Sequence, residues 1–232
     1  MITALTLAPL LAALLIIAMP AHRARTVALA GALVSFGLTV WLLTQFNGNA
    51  IETKHSWIAD LGIDYHVGLD GTNALVLFLA ALLALIVIWI SWGHSDRTKT
   101  YFALLSLQFT GLFGTFTALN FFHWFIYWEL ALVPAFFLIK LFGQGVERHK
   151  AAINFFLFTV LGSVAMLLGF LFLYQETGSF NFIELPEKVK SLEVSSLIFV
   201  AILAGLWVKV PLAPLHIWQA PAYAAAPTPV VI

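Results

Sequence analysis

The sequence of 232 residues contains no cysteine, which excludes disulfide bonds, thiolate catalysis and cysteine-ligated zinc or iron–sulfur sites. Charged residues make up only 9% of the chain, against roughly 25% in ordinary soluble domains. The formal net charge is zero and no basic cluster is interleaved with aromatic residues, so the electrostatic signature of a nucleic-acid-binding protein is missing. Seven histidines are present, but none has the HExxH-type spacing of a zinc site on one helix face. We therefore expect no metal site and no redox centre on this chain.

Hydrophobic residues account for 62% of the sequence, and the mean hydropathy is +0.98, which indicates an integral membrane protein. The apolar runs predict an all-α fold, a polytopic bundle of six full transmembrane helices and a broken seventh. The predicted spans are 2–19, 26–46, 72–92, 101–119, a fifth that ends at 140, 151–174, and a seventh that begins near 196.

Two regions follow from this pattern. Residues 1–99 hold the first three spans and an external, hairpin-like segment near 47–70, and residues 100–232 hold spans four to seven. Within 63–70, apolar and polar residues alternate with a period of two, which predicts a strand or hairpin at the surface. Pro186 is expected to open a short amphipathic helix at the membrane surface, with Leu185, Val189 and Leu192 on one face.

The distribution of lysine and arginine among the loops predicts the orientation, because cytoplasmic loops carry the excess of positive charge. Three such residues, Lys54, Lys188 and Lys190, lie on one side of the predicted bundle. The other side carries Arg23, Arg25, Arg97, Lys99, Lys140, Arg148 and Lys150. This second side is expected to be cytoplasmic, which places the N-terminus and both long polar segments outside.

Glu129 is a carboxylate in the middle of the apolar stretch WFIYWELALVPAFFLIK. An ionised side chain near the bilayer centre costs roughly 2.5 to 3.5 kcal/mol on insertion scales, so such residues usually face a partner or a wet cavity. Pro134 follows in the same span, and a proline leaves the carbonyl four residues earlier, here Leu130, without its helical donor. The sequence therefore predicts a functional carboxylate beside a polar backbone group.

Lys209 is a second charge inside an apolar run, and Pro211 and Pro214 follow it. Prolines at these positions are expected to free the carbonyls of Trp207 and Val210 and to break the seventh span. Discontinuous helices of this kind mark ion and substrate sites in transporters.

Glu129 and Lys209 are expected at similar depths, because their spans cross in the same direction and helices rise ~1.5 Å per residue. A buried ion pair between them would let each charge offset the desolvation of the other. A change in their separation would then load or release a proton on the lysine. His216, just past the break, is a possible proton relay or a cap for free carbonyls. His123 is predicted to be an interfacial residue beside its aromatic neighbours.

The segments NFFHWFIYWELALVPAFFLIKLFG, INFFLFTVLGSVAML, SFNFIEL and VKVPLAPLHIW together resemble the antiporter-like, proton-conducting subunits of respiratory complex I. The resemblance is closest to the M type, called ND4 in mitochondria, and it extends over most of the chain from Val67. It implies the first inverted repeat of such a subunit, with Glu129 and Lys209 as the paired residues of the proton path and Pro211 and Pro214 at the helix break.

The resemblance also implies a subunit of a proton-translocating NADH:quinone oxidoreductase that performs no redox chemistry itself. NADH, FMN, iron–sulfur clusters and quinone are then expected on other subunits. The implied partners are L-type and N-type antiporter-like neighbours and the lipid bilayer. The implied location is a bacterial inner membrane.

Two departures from the family pattern leave alternatives open. Residues 218–223, WQAPAY, stand where the family usually has WLPDAH, and the sequence ends at Ile232, inside the broken-helix region. We therefore expect a truncated repeat, from a fragment, a frameshifted gene or a subunit split between two chains. The alternative functions are a subunit of a multi-subunit Na⁺/H⁺ antiporter, a subunit of a membrane-bound hydrogenase complex, and a non-functional remnant.

Overall fold

The computed structural model describes residues 1–190 and 195–232, so Leu192 of the predicted amphipathic helix lies outside the described residues. Helices dominate the described chain, and their positions agree with the predicted spans to within a few residues. The elements are α1 (Ile2–Ala18), α2 (Ala24–Gln45), β1 (Ile51–Ile58), β2 (Ile63–Leu69), α3 (Ala74–Ile90), α4 (Thr98–Thr117), α5 (Phe121–Phe142), α6 (Arg148–Thr177), α7 (Leu185–Val189), α8 (Ser196–Lys209), α9 (Gln219–Ala225) and α10 (Thr228–Val231).

Four helical stretches of the described residues are long and apolar enough to cross a membrane: Ala21–Gln45, Ala74–Gly93, Phe121–Phe142 and Arg148–Thr177. Helices α1 and α8 are also apolar but shorter. A helix satisfies its own backbone hydrogen bonds, which lipid cannot do, so apolar runs of this length fold as helices. The prediction of a mainly helical membrane protein is confirmed, whereas the count of six full crossings stays a prediction.

The main core lies among the first four helices. Leu5, Leu77, Phe102 and Phe113 are completely buried there, and α1 packs against both α2 and α4. A Cβ atom on Gly31 of α2 would lie 2.6 Å from the Ala12 Cβ of α1, so these two helices approach closely because the glycine has no side chain.

Strands β1 and β2 form an antiparallel hairpin, closed by Gly62 at a φ of 61°. The alternation in 63–70 therefore corresponds to a real strand, but the two strands differ in burial. Strand β1 is largely exposed, whereas most of β2 is buried against the helix ends. His66 of β2 contacts the Glu52 carboxylate at 3.0 Å, and its carbonyl accepts a 2.8 Å hydrogen bond from the Leu119 amide. The hairpin is thus tied to the junction of α4 and α5.

A polar cluster joins the same hairpin to the segment between α6 and α7. The Glu184 carboxylate accepts hydrogen bonds from Ser179 Oγ at 2.8 Å, Asn181 Nδ2 at 3.2 Å and Lys54 Nζ at 3.3 Å. The Ser179 hydrogen bond, and then Lys54, hold the pKa of Glu184 below its ordinary value. The hydrogen bond to Asp64 is the main cause that raises the pKa of Lys54. Ionised Glu184 therefore stabilises the attachment of the hairpin.

We expect Glu184→Gln to speed hydrogen exchange of the β1 amides at neutral pH by a modest factor, because the ion pair with Lys54 is substantially exposed. The pKa of Glu184 is lower in the folded protein than its ordinary value, about 4.5, so the ionised carboxylate stabilises the fold at a pH above that ordinary value. This stabilisation is lost as the pH falls through the folded-state pKa. The parental protein should therefore lose this protection in acid, and the variant should show no such step. Glu187→Gln is the matched control, since Glu187 pairs with Lys190. Equal exchange in parent and Glu184→Gln at neutral pH would contradict the role of the cluster.

Candidate functional site

Glu129 lies in the middle of α5, half-buried, on the same helix as Pro134. Asn120 caps the N-terminus of α5, and its side chain accepts a 3.0 Å hydrogen bond from the Phe122 amide. The Glu129 Oε1 atom is fully buried and has no hydrogen-bond partner among the described residues. Buried polar atoms are usually paired, so this carboxylate oxygen is an exception to the general rule.

Two glycines of α4 determine how close α5 can lie. A Cβ atom on Gly111 would be 2.6 Å from the Ala131 amide nitrogen, and one on Gly114 would overlap the Tyr127 ring. Because only hydrogen occupies these positions, α4 and α5 pack with their backbones near contact. Glu129 is therefore carried by a helix that is firmly held on one side.

A second glycine seam holds α8 against α6. A Cβ atom on Gly162 would lie 2.7 Å from Val208 Cβ, one on Gly169 would lie 2.7 Å from Ile202 Cγ1, and one on Gly205 would lie 2.5 Å from the Gly162 carbonyl. The small residues of α6 therefore let α8 approach closely. This seam positions Lys209, the last residue of α8.

Helix α8 ends at Lys209, but the prolines do not leave both of the carbonyls that they are expected to free without a donor. The Trp207 carbonyl accepts a 3.0 Å hydrogen bond from the Leu212 amide, so the prediction of a free carbonyl at Trp207 is wrong. The chain widens into an i→i+5 turn, in which the amide of Leu212, the residue after Pro211, replaces the missing donor. In addition, the indole N–H of Trp218 donates to the Val208 carbonyl at 3.0 Å. Nothing in the sequence assigned this capping role to Trp218.

Lys209 does not form the expected ion pair with Glu129. Its Nζ atom lies over the indole of Trp128, 5.0 Å from the ring centroid, and among residues 1–190 and 195–232 no carboxylate oxygen lies within 4.0 Å of it. The Glu129 carboxylate still acts on the lysine through space. The physical reason for the difference is that an aromatic face also attracts a desolvated cation.

The two histidines singled out in the sequence lie in different surroundings. The side chain of His216 is exposed on this chain. His123 is buried between Tyr65 and Tyr127, with ring centroids 4.7 and 4.8 Å away, so it packs inside the protein, and its position at the membrane interface stays a prediction. The hairpin covers His123, which the local sequence could not indicate because that contact joins distant segments.

In the part of the chain that the structure describes, no group of three histidine, aspartate or glutamate residues is close enough to hold a metal ion. The side chains of Glu129 and Lys209 can carry opposite charges and form hydrogen bonds. These observations describe a polytopic, mainly helical membrane protein. Its helices pack on glycine seams, and it carries a buried carboxylate and a lysine at a helix end.

Comparison with known proteins identifies the family within this class. A family model described as "NADH:quinone oxidoreductase/Mrp antiporter, TM" matches residues 118–232. F(420)H(2) dehydrogenase subunit M of Methanosarcina mazei is 34% identical over 212 residues, covering 85% of this chain and 43% of that protein. NADH-quinone oxidoreductase subunit M of Escherichia coli is 34% identical over 222 residues, covering 85% and 44%. A chain of respiratory complex I from Thermus thermophilus superposes with a TM-score of 0.87 at 27% identity, covering 97% of this chain and 47% of that chain.

The chain belongs to the antiporter-like M-subunit family of NADH:quinone oxidoreductases, which confirms the resemblance seen in its motifs. It spans less than half the length of the curated relatives that it matches.

Proposed function

We propose that this chain is a membrane subunit of a proton-pumping NADH:quinone oxidoreductase and contributes a proton-translocation half-channel through Glu129 and Lys209. The observation that carries the proposal is their placement: a carboxylate and an amine, both within apolar helices, lie in electrostatic reach of each other but unpaired. The names of the Escherichia coli and Thermus relatives support an oxidoreductase rather than an antiporter or a hydrogenase.

The mechanism is electrostatic. Electron transfer in other subunits alters a neighbouring chain, and that alteration changes the distance between Glu129 and Lys209. A nearby carboxylate favours the charged form of a lysine, and an apolar environment favours the neutral form. The lysine therefore binds its proton when the carboxylate approaches and releases it when the carboxylate withdraws. His216, exposed on this chain, serves as a relay to a group on an adjoining chain.

The proposed assembly includes L-type and N-type antiporter-like neighbours, with NADH, FMN, iron–sulfur clusters and quinone on other subunits. The proposed location is a bacterial inner membrane, spanned by six full helices and a broken seventh, with residues 1–99 preceding the repeat at 100–232. The N-terminus and the hairpin lie outside. This sidedness is supported by basic side chains that cap carbonyls at the opposite end of the bundle: Arg25 to His94, Lys99 to Ile17 and Arg148 to Gly143.

The test is Lys209→Met in the full-length subunit of the assembled complex. We expect redox-driven proton uptake into membrane vesicles to fall to less than about a tenth, which corresponds to roughly 1.4 kcal/mol in transition free energy. Methionine keeps the apolar stem but removes the proton carrier. The matched control is Lys140→Met, because Lys140 also lies over an aromatic ring, that of Phe136, near the end of α5. Normal proton uptake in Lys209→Met would overturn the proposed function.

A further inference from the structure

Trp128 and Glu129 are consecutive residues of α5 and offer Lys209 two different electrostatic partners. In the structure the ammonium group of Lys209 lies over Trp128, 5.0 Å from the centroid of its indole ring. Successive side chains on a helix point about 100° apart, so the indole and the carboxylate approach the lysine from different directions. The flexible four-carbon stem of a lysine lets its ammonium group turn between neighbouring partners.

Trp128 and Glu129 each bury a polar atom on this part of α5. Glu129 Oε1 and Trp128 Nε1 are both fully buried and both lack a hydrogen-bond partner among the described residues. The indole itself is held in place, because Trp124 stacks on it with centroids 4.5 Å apart and an interplanar angle of 29°. The Trp128 ring is thus held in place by its neighbour, whereas Glu129 Oε1 is able to accept a hydrogen bond.

We propose that Trp128 is a positioning residue that holds protonated Lys209 away from Glu129 between proton-transfer steps. The inference rests on the proposed function, since it assigns a second resting position to the same lysine. A ring quadrupole attracts a cation but not a neutral amine, so the indole stabilises only the protonated lysine. Trp128 therefore keeps the lysine charged while the carboxylate is engaged elsewhere or has withdrawn.

The test replaces Trp128 with tryptophans that carry increasing numbers of fluorine atoms, introduced at this position alone in the full-length subunit of the assembled complex. Fluorine withdraws electron density from the ring face and barely changes its shape. The attraction for the ammonium group therefore weakens stepwise without a new cavity. A weaker attraction lets the lysine lose its proton at lower pH, so the alkaline limb of the plot of pumping rate against pH should move stepwise to lower pH. For the most fluorinated ring we expect a total shift of about one pH unit, a tenfold change in proton concentration.

The same series at Trp124 is the matched control. Trp124 stacks on the Trp128 ring, whereas the ammonium group of Lys209 lies over Trp128 itself. It should leave the pH profile unchanged. A profile that does not move along the Trp128 series, in a complex whose pumping is still abolished by Lys209→Met, would overturn the role of Trp128 alone. Full pumping in Lys209→Met would instead remove the proposed function on which that role rests.

Discussion

Glu129→Gln is expected to reduce redox-driven proton pumping to less than about a tenth of the parental value, a loss equivalent to roughly 1.4 kcal/mol in a transition free energy. Glutamine keeps the size of the side chain and its ability to hydrogen-bond, but it removes the negative charge that acts on Lys209. Without that charge, movement of α5 no longer changes the proton affinity of Lys209. The measurement is proton uptake by membrane vesicles together with the amount of assembled complex.

The control is Glu176→Gln, near the end of α6, where the carboxylate is exposed. This variant changes the same residue type without touching the proposed pair and should pump normally. If Glu129→Gln assembles and pumps as well as the control, the electrostatic mechanism is wrong.

A double variant separates a coupled pair from two independent residues. Effects of distant, independent substitutions add to within about 0.5 kcal/mol, whereas residues that act as a unit deviate from additivity. We expect Glu129→Gln combined with Lys209→Met to lose little more pumping than Lys209→Met alone, since the carboxylate acts through the lysine's proton. Fully additive losses would show that the two residues work separately.

Gly162→Leu is expected to prevent stable folding of the subunit. A Cβ atom at this position would already lie 2.7 Å from Val208 Cβ, and leucine adds three further carbons to the seam between α6 and α8. Overpacking typically costs about 1–3 kcal/mol and costs more where backbones cannot separate. Gly205 packs against the Gly162 carbonyl directly opposite, so the helices have no room to yield.

The measurement for Gly162→Leu is the thermal unfolding midpoint and the fraction of monodisperse protein in detergent. Gly37→Leu on α2 is the control, because a Cβ atom there would meet nothing within 4 Å. The seam would have no structural importance if both leucine variants unfolded at the same temperature as the parent.

Local sequence rules predicted most helices well, because apolar runs in lipid have few folds available. The same rules failed where the folded path of the chain decides which group a side chain or carbonyl meets. The sequence shows that Pro211 removes a donor from the Trp207 carbonyl, but not that the Leu212 amide replaces it. Likewise, His123 stands among aromatic residues typical of a membrane interface, yet the hairpin buries it.

The chain's composition and motifs by themselves determined a helical membrane protein, its family, and the two charges that lie inside apolar helices. These properties depend on residue type and local spacing. Only the tertiary structure decided which group meets Lys209, because that depends on how glycine seams set the separation and rotation of α5, α6 and α8. The sequence indicated an acid as the lysine's contact, and the packing placed the neighbouring indole there instead.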